Sequence, residues 1–182
     1  QLWPADLSSE LCNEIVAEAN KLDIMQAKAG GELRPESRRS RVSWIKPNHG
    51  QFGGLFDFVK ERFAEANQQN FGFDCDELTR LQFTRYLAED HGHYGWHEDT
   101  IWMNTNRKHR KLSMVIQLSD PADYEGGVLE IDAREHPVPP PELLMQQGSV
   151  IVFPSFLRHR VIPVTRGIRY SLVGWMEGPH FR

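Results

Sequence analysis

Residues 148–175 read GSVIVFPSFLRHRVIPVTRGIRYSLVGW, and their pattern decides the fold class. Three runs of continuous or alternating apolar residues predict strands over 149–153, 158–164 and 168–176. An Arg-Gly pair at 166–167 marks the turn between the last two strands. Short strands joined by such turns are typical of antiparallel sheets.

The segments upstream extend this pattern and place helices before it. Alternation or short apolar runs predict further strands over 41–45, 78–87, 111–119 and 128–131. Apolar residues at helical spacing predict two helices, over about 6–22 and 54–67. Loops are predicted over 26–41 and 123–127, and a stiff proline-rich surface connection over 136–141.

Two helices therefore precede many short strands, without regular alternation of strand and helix. This order excludes a Rossmann-like fold and favours an antiparallel sandwich or barrel with helices packed outside it. The predicted fold class is mainly β with flanking helices. We expect one domain over 1–182, with helical support over about 1–75 and a barrel core over about 78–177.

The last strand has two chemically different faces. Arg169, Ser171, Val173 and Trp175 share one face, and the residues between them are mostly apolar. The strand over 78–87 likewise carries polar and aromatic side chains on one face. Such faces lie either on the surface or, in a barrel covered by helices, around an interior pocket.

The bulk composition bounds the function. The 182 residues are 40% hydrophobic and 25% charged, with a net charge of −4, which argues against a protein that acts mainly on nucleic acid. Two cysteines make no disulfide framework, so we expect a reducing, cytoplasmic setting. No apolar run approaches the length of a membrane span, and no membrane association is expected.

The stretch YGWHEDT, residues 94–100, places His97 and Asp99 two positions apart. In an extended segment both side chains point the same way. His159 follows beside a predicted strand, and two histidines with one carboxylate can occupy one face of an octahedral ferrous ion. Arg169, ten positions after His159, offers a planar fork for a carboxylate in the same cavity.

In these features the chain resembles the Fe(II)- and 2-oxoglutarate-dependent dioxygenases, specifically the prolyl 4-hydroxylase-like branch that includes the PKHD-type hydroxylases. The resemblance covers about 78–175, over half the chain. It rests on Thr-Arg-Tyr at 84–86 leading into YGWHED, on LSMVIQLSDPADYEGGVLEI at 112–131, and on the stretch quoted first. It implies a double-stranded β-helix, a jelly-roll or cupin-like barrel, preceded by helices.

The resemblance also implies roles for individual residues. His97, Asp99 and His159 look like the catalytic iron ligands. Arg169 looks like the partner of the distal carboxylate of 2-oxoglutarate, where many family members carry lysine. Tyr86 looks like the tyrosine that hydrogen-bonds 2-oxoglutarate. Trp175 corresponds to an aromatic residue in the wall of the same pocket, and Gln117 lies on the strand that lines the cosubstrate site.

The implied reaction is hydroxylation of a C–H bond, with O2 consumed and succinate and CO2 released. The implied cofactors are Fe(II), 2-oxoglutarate and O2, with ascorbate as a candidate addition. Membership of this branch favours a prolyl residue in a peptide or protein as substrate. Free proline, another amino acid side chain and a small metabolite stay open.

Two other functional classes remain as alternatives. A non-catalytic, cupin-like barrel would hold the metal, but it would not need Arg169 and Tyr86 together. A zinc hydrolase could use the same three ligands, but it leaves the arginine unexplained and lacks an evident general base near the motif.

Several further residues have open interpretations. The polar segment 104–108 is either a lid over the substrate or a plain surface connection. Trp44 and Arg41 either border the substrate cleft or, as we favour, have no contact with substrate. In the second case Trp44 packs in the core and Arg41 is solvated. Trp96 and Trp102 are predicted in the core. Turn or loop positions are expected for His91, His93, His109 and His136, and solvation is favoured for the basic cluster Arg34, Arg38, Arg39 and Arg41.

Overall fold

The computed structural model describes residues 1–102, 107–134 and 137–181. Its helices are α1 (Ser9–Ala19), α2 (Gly53–Ala66) and α3 (Pro141–Met145). Its strands are β1 (Leu2–Trp3), β2 (Met25–Gln26), β3 (Arg38–Arg39), β4 (Arg41–Ile45), β5 (Leu81–Leu87), β6 (His93–His97), β7 (Lys108–Gln117), β8 (Tyr124–Gly126), β9 (Leu129–Ile131), β10 (Val150–Pro154), β11 (His159–Val161) and β12 (Val164–Pro179).

The strands form two antiparallel sheets that face each other. The larger sheet has the order β1-β10-β7-β12-β5-β4-β2, with β8 also pairing with β12. The smaller sheet has the order β3-β6-β11-β9. Neighbours in these sheets are distant in the chain, which is the arrangement of a jelly roll rather than a meander. This confirms the predicted mainly β fold.

The outer face of the larger sheet is apolar and is covered by helices. Phe56, Val59 and Phe63 project from α2 and are almost fully buried. They belong to one apolar cluster with Phe83 and Leu172 of the sheet. Because successive strand residues point to opposite faces, burying this face directs the alternate polar residues inward, toward the smaller sheet.

The helix starts follow from their sequences. Ser8 precedes α1 in an extended conformation, and its hydroxyl accepts a hydrogen bond from the Leu11 N–H at 3.2 Å. This satisfies one of the donors that a helix leaves unpaired at its start. The two predicted helices are thus confirmed: α1 is three residues shorter than expected at each end, and α2 begins and ends one residue earlier than expected.

The N-terminal part of the chain contributes strands as well as helices. β1 and β2 form the two edges of the larger sheet, and β3 is an edge of the smaller one. The prediction of a loop over 26–41 is therefore wrong at Arg38–Arg39, where the pairing partner is β6. Strands of two residues are too short for alternation to reveal them.

Two other local predictions are also wrong. His93, expected in a turn, is the first residue of β6, and the expected loop at 123–127 contains β8. The proline-rich segment is a largely exposed connection over 137–140, as predicted, and only its last residue, Pro141, begins α3, where proline is favoured because that position needs no N–H. His136 lies outside the described residues.

Among the described residues, no helix combines the length and apolar character needed to cross a bilayer.

We expect Phe63→Ala to destabilise the protein by about 3–5 kcal/mol, because it removes a fully buried ring between α2 and the larger sheet. Chemical denaturation followed by circular dichroism measures this. Leu11→Ala on α1 is the matched control, since the Leu11 side chain is 44% exposed and its loss should change stability by less than about 0.5 kcal/mol. Equal effects of the two changes would contradict the assignment of the core.

Candidate active site

Three predicted metal ligands converge on one point between the sheets. His97 ends β6 and His159 begins β11, and the two residues are direct cross-strand partners. Asp99 follows His97 after a single residue. One ligand atom from each side chain lies within 4.8 Å of the others. The antiparallel pairing of β6 with β11 therefore brings together residues that are far apart in the sequence.

Backbone carbonyls fix the orientation of both imidazoles. The Nδ1 of His97 lies 2.8 Å from the Gly95 carbonyl oxygen, and the Nδ1 of His159 lies 2.9 Å from that of Leu157. A carbonyl can only accept, so each Nδ1 carries the proton. Each Nε2 points toward Asp99, at 3.7 Å for His97 and 3.4 Å for His159. This is the tautomer and ring position that metal coordination requires.

The Asp99 carboxylate is held from behind. The Ser113 hydroxyl donates to its Oδ2 at 2.7 Å, and the Asp99 N–H donates to the Ser155 carbonyl at 2.9 Å. The hydroxyls of Ser113 and Ser155 lie 2.9 Å apart, which links the two supports. The carboxylate therefore has little rotational freedom and keeps one oxygen available.

The charges of the three groups are coupled. Burial lowers the pKa of His97 to about 4, and the neighbouring His159 acts in the same direction. Burial also acts to lower the pKa of His159, but the attraction and hydrogen bond of Asp99 outweigh it and the pKa is raised. Burial alone would raise the pKa of Asp99, whereas the two histidines lower it well below its usual range. The site thus holds an ionised carboxylate that the two neighbouring imidazoles stabilise.

A second polar group lies further along the larger sheet. Arg169 is almost fully buried, and its Nε donates to the Gln117 side-chain oxygen at 3.0 Å. The Gln117 amide in turn donates to the Tyr124 hydroxyl at 3.0 Å. Tyr86 is the cross-strand partner of Arg169, and the guanidinium lies 5.5 Å from its ring centre. No carboxylate of the described residues neutralises Arg169, so the remaining guanidinium N–H groups suit an anionic ligand.

Gly127 makes room for this arginine. A Cβ at Gly127 would lie 2.9 Å from the Arg169 Cδ, and its φ of +63° is strained for residues with a side chain. Steric contact with Arg169 therefore explains why the second residue of the Gly-Gly pair before β9 is glycine.

One cavity of about 750 Å³ joins both groups. The metal-ligand triad lies in its wall with Arg169, Tyr86 and Trp175. Ser171 and Val173 also line it, so the mixed face of β12 faces the interior and not the solvent. This resolves the alternative that the sequence left open.

Comparison with known proteins gives the cavity a family. Residues 81–177, which are 97 of the 182 residues, match the model of the 2OG-Fe(II) oxygenase superfamily. The chain belongs to this superfamily. The matched region runs from the start of β5 to Glu177 in β12 and contains the triad and Arg169. It confirms the resemblance that the sequence motifs indicated.

Curated relatives of this oxygenase are PKHD-type hydroxylases. One from Synechococcus sp. (strain CC9311) is 40% identical over 90 residues, which are 50% of this chain and 39% of that protein. Another from Maricaulis maris is 34% identical over 129 residues, which are 69% of this chain and 56% of that protein. The oxygenase chain thus spans about half or less of the length of the relatives it matches.

Solved structures show the same fold. A Pseudomonas putida prolyl-4-hydroxylase matches with a TM-score of 0.72 and 24% identity, over 97% of this chain and 91% of that one. A Trichoplax adhaerens prolyl hydroxylase, in complex with a peptide fragment of the hypoxia inducible factor oxygen degradation domain, matches with a TM-score of 0.76 and 16% identity. That match covers 97% of this chain and 82% of the other. The oxygenase therefore has the double-stranded β-helix fold that the resemblance implied.

The donor set fits the metal and cosubstrate that define the superfamily. Two oriented imidazole nitrogens and one carboxylate oxygen are ligands that suit Fe(II), and they leave other positions of an octahedral ion open. Arg169 has unpaired donors in the same cavity. The buried Trp175 indole N–H has no hydrogen-bond partner in the part of the chain that the structure describes, so it can donate to a polar ligand in the cavity.

Some aromatic and basic residues are placed differently from the prediction. Trp96 and Trp102 are 40% and 51% exposed, so their assignment to the core is wrong. His109 is not in an exposed loop but buried in β7. Trp44 lines the cavity, against the favoured core position, whereas Arg41 pairs at the surface with Glu89 and Asp90.

The basic cluster divides between the cavity and the surface. Arg38 is buried beside the cavity, and its guanidinium lies 4.3 Å above the Tyr94 ring, which stacks on His97 at 3.4 Å. Its Nε donates to the Ser40 hydroxyl at 2.9 Å. Solvation is therefore the wrong prediction for Arg38. Of the polar segment 104–108, for which a lid and a plain surface connection were the two alternatives, 104–106 lie outside the described residues and Lys108 begins β7.

We expect Ser113→Ala to weaken metal binding by about tenfold, because Asp99 would lose the hydroxyl that orients it. Calorimetric titration with Mn(II), a redox-stable substitute for ferrous iron, measures the dissociation constant. Ser171→Ala is the control: Ser171 is equally buried on the cavity wall but has no described contact with Asp99. An affinity unchanged in Ser113→Ala would show that this hydroxyl does not support the ligand.

Proposed function

We propose that this chain is an Fe(II)- and 2-oxoglutarate-dependent dioxygenase that hydroxylates a prolyl residue in a peptide or protein. The observation that carries the proposal is the convergence of the metal-ligand triad and Arg169 on one cavity. A metal-binding barrel without 2-oxoglutarate would have no use for a buried arginine that lacks an acidic partner.

The residues of the triad would hold the iron. His97 and His159 would supply neutral Nε2 atoms, and Asp99 would supply one carboxylate oxygen while Ser113 keeps the other in place. When bound, iron with 2-oxoglutarate supplies the oxidising chemistry that converts O2 and a C–H bond into succinate, CO2 and a hydroxyl group. The protein contributes the position of the reactants and the exclusion of water.

Arg169 would bind the distal carboxylate of 2-oxoglutarate. Gln117 accepts one guanidinium N–H and so fixes the plane of the group, and Tyr124 fixes Gln117 in turn. Tyr86, beside Arg169, would donate its hydroxyl to the cosubstrate. Trp175 would close the cavity wall on the opposite side of the triad.

The prolyl substrate is supported by the names of the relatives and neighbours. PKHD-type hydroxylases and prolyl-4-hydroxylases recur among them, and one neighbour holds a peptide. The cavity is also larger than 2-oxoglutarate needs and has room for part of a peptide. Ascorbate is proposed as a reductant that maintains ferrous iron during turnover.

Succinate formation tests the function. Anaerobically purified protein receives Fe(II), ascorbate, 2-oxoglutarate and O2, with and without proline-containing peptides. We expect iron-dependent succinate that rises with a suitable peptide, and loss of at least about 100-fold in His97→Ala or His159→Ala because each removes one of three ligands. His49→Ala, which removes an exposed histidine outside the cavity, is the matched control.

Succinate at the wild-type rate in either ligand variant would overturn the assignment of the triad. A binding-only protein would instead bind Mn(II) in titrations and form no succinate above an iron-free control with any peptide.

We expect Arg169→Ala to raise the half-saturating concentration of 2-oxoglutarate by roughly 10–100-fold, because a charged hydrogen-bonded pair is lost. Arg169→Lys should recover part of the effect, since it restores the charge without the planar fork. Steady-state succinate assays measure both. Arg166→Ala, three positions away and paired with Glu125 at the surface, should leave the value unchanged; a similar rise there would contradict a specific role for Arg169.

A further inference from the structure

The cavity contains more positive charge than the proposed reaction uses. Arg169 and Asp99 are accounted for by the cosubstrate and the metal. Four of the remaining charged residues of the lining are cationic: Lys28, Arg38, Arg80 and Arg110. Among the described lining residues, the only other carboxylate besides Asp99 is that of Glu98. The Glu98 carboxylate accepts a hydrogen bond from the exposed Trp102 indole at 3.1 Å, so it already has a partner outside this group.

A β-bulge directs Arg110 into the cavity. On β12, Met176 pairs with Leu112, but the next residue, Glu177, pairs with Arg110. One extra residue, Lys111, therefore lies between two consecutive pairs, and the inward face of β7 shifts by one position. Without the bulge, Lys111 would follow Ser113 on the inward face; instead it is buried on the other side, with its ammonium 3.7 Å above the Phe181 ring.

Two tryptophans hold the two arginines in place. The Arg110 guanidinium lies 3.9 Å above the Trp175 ring, and the Arg80 guanidinium lies 4.0 Å above the Trp44 ring. The two indoles are themselves 6.3 Å apart. Neither arginine forms an ion pair with any carboxylate among the described residues. Stacking fixes a guanidinium without using its in-plane N–H donors, which stay available for an anion.

This cluster is separate from the cosubstrate carboxylate site. Arg169 and Trp175 lie on the same strand, six residues apart, which corresponds to about 20 Å. Ser113, the support of Asp99, is the cross-strand partner of Trp175. Asp99 is thus supported opposite Trp175, whereas Arg169 lies six residues earlier on β12, so the stacked arginines lie near the metal-ligand triad and away from Arg169. The buried and unpartnered Trp175 N–H adds an independent sign that a polar ligand belongs at this end.

We propose that Arg110 and Arg80, stacked on Trp175 and Trp44, form a carboxylate-binding subsite for the substrate. The substrate thus carries an acidic group next to the residue that is hydroxylated. This inference rests on the proposed function for its location relative to the reacting carbon. The acidic group is either a Glu or Asp side chain of a peptide or the terminal carboxylate of a short proline-containing acid, and both share the chemistry that two guanidinium groups recognise.

Matched ligand pairs test the subsite directly. The first pair is the blocked peptides Gly-Pro-Glu-Gly and Gly-Pro-Gln-Gly; the second is N-acetyl-glycyl-proline and its amide. Binding to the full chain is followed by the change in intrinsic tryptophan fluorescence, to which Trp44 and Trp175 contribute, with Mn(II) and saturating 2-oxoglutarate present to occupy the other carboxylate site. In at least one pair the acid should bind about tenfold more tightly than its neutral twin, and added salt should reduce the difference.

The variants Arg80→Gln and Arg110→Gln should each reduce this preference, and the double variant should bring it to about onefold. Arg39→Gln, an exposed arginine outside the cavity, should leave it unchanged. Equal binding of acid and amide in the wild type, absence of saturable binding by every ligand, or a preference that persists in the double variant would overturn the proposal. Preference within the peptide pair alone identifies a side-chain carboxylate, and within the second pair alone a terminal one.

Failure of the subsite is distinguishable from failure of the proposed function. Succinate formed from 2-oxoglutarate without any peptide reports the metal and Arg169, and it should continue in the Arg39→Gln variant, whose side chain lies outside the cavity. Succinate formation with no acid preference would reject the subsite alone, whereas an acid preference without succinate under any condition would reject the oxygenase.

Discussion

The antiparallel pairing of β6 with β11 is the constraint on which the site depends. It places His97 directly opposite His159, and the backbone carbonyls two residues before each histidine then hold both rings in the same sense. Asp99 needs only one further extended step to join them. A metal site built on two paired strands is more rigid than one built on loops, because the ladder hydrogen bonds resist displacement of either ligand.

The larger sheet makes this arrangement possible by having two unlike faces. Its outer face is apolar and buries the rings of α2, so it is fixed by the hydrophobic effect. Its inner face is then free to carry groups that would be costly in a core, such as Arg169 and Gln117. Arg169 and Gln117 are hydrogen-bonded to each other, and burial holds them where bulk water cannot compete for that bond.

The sequence predicted the fold class, the triad and Arg169 because each left a periodic or spaced signal. Alternation revealed the long strands, and the HxD motif with a distant histidine and arginine revealed the site. What it missed had no local signal. Arg110 is on the inward face only because of a bulge, and a bulge depends on the pairing partner and not on the bulged strand alone.

Other omissions have the same origin in tertiary pairing. Arg38 belongs to a strand of two residues, and its burial depends on the distant Tyr94. Trp96 and Trp102 were placed in the core because large aromatic rings usually are, but both lie on the outer surface. The supporting contact between Gln117 and Tyr124 joins the end of β7 to the start of β8, and no spacing rule anticipates such a pair.

The long strand β12 fixes the spacing of side chains along the cavity wall. It carries Arg169 at one point of the cavity wall and Trp175 at another, and the number of residues between them sets the distance that separates the two side chains. Inserting a single residue there would turn one of the two side chains toward the helices, because strand faces alternate with a period of two. An insertion or deletion of one residue between Arg169 and Trp175 would therefore disrupt the cavity. A cavity for a larger substrate has to be enlarged at the sheet edges and loops around β12.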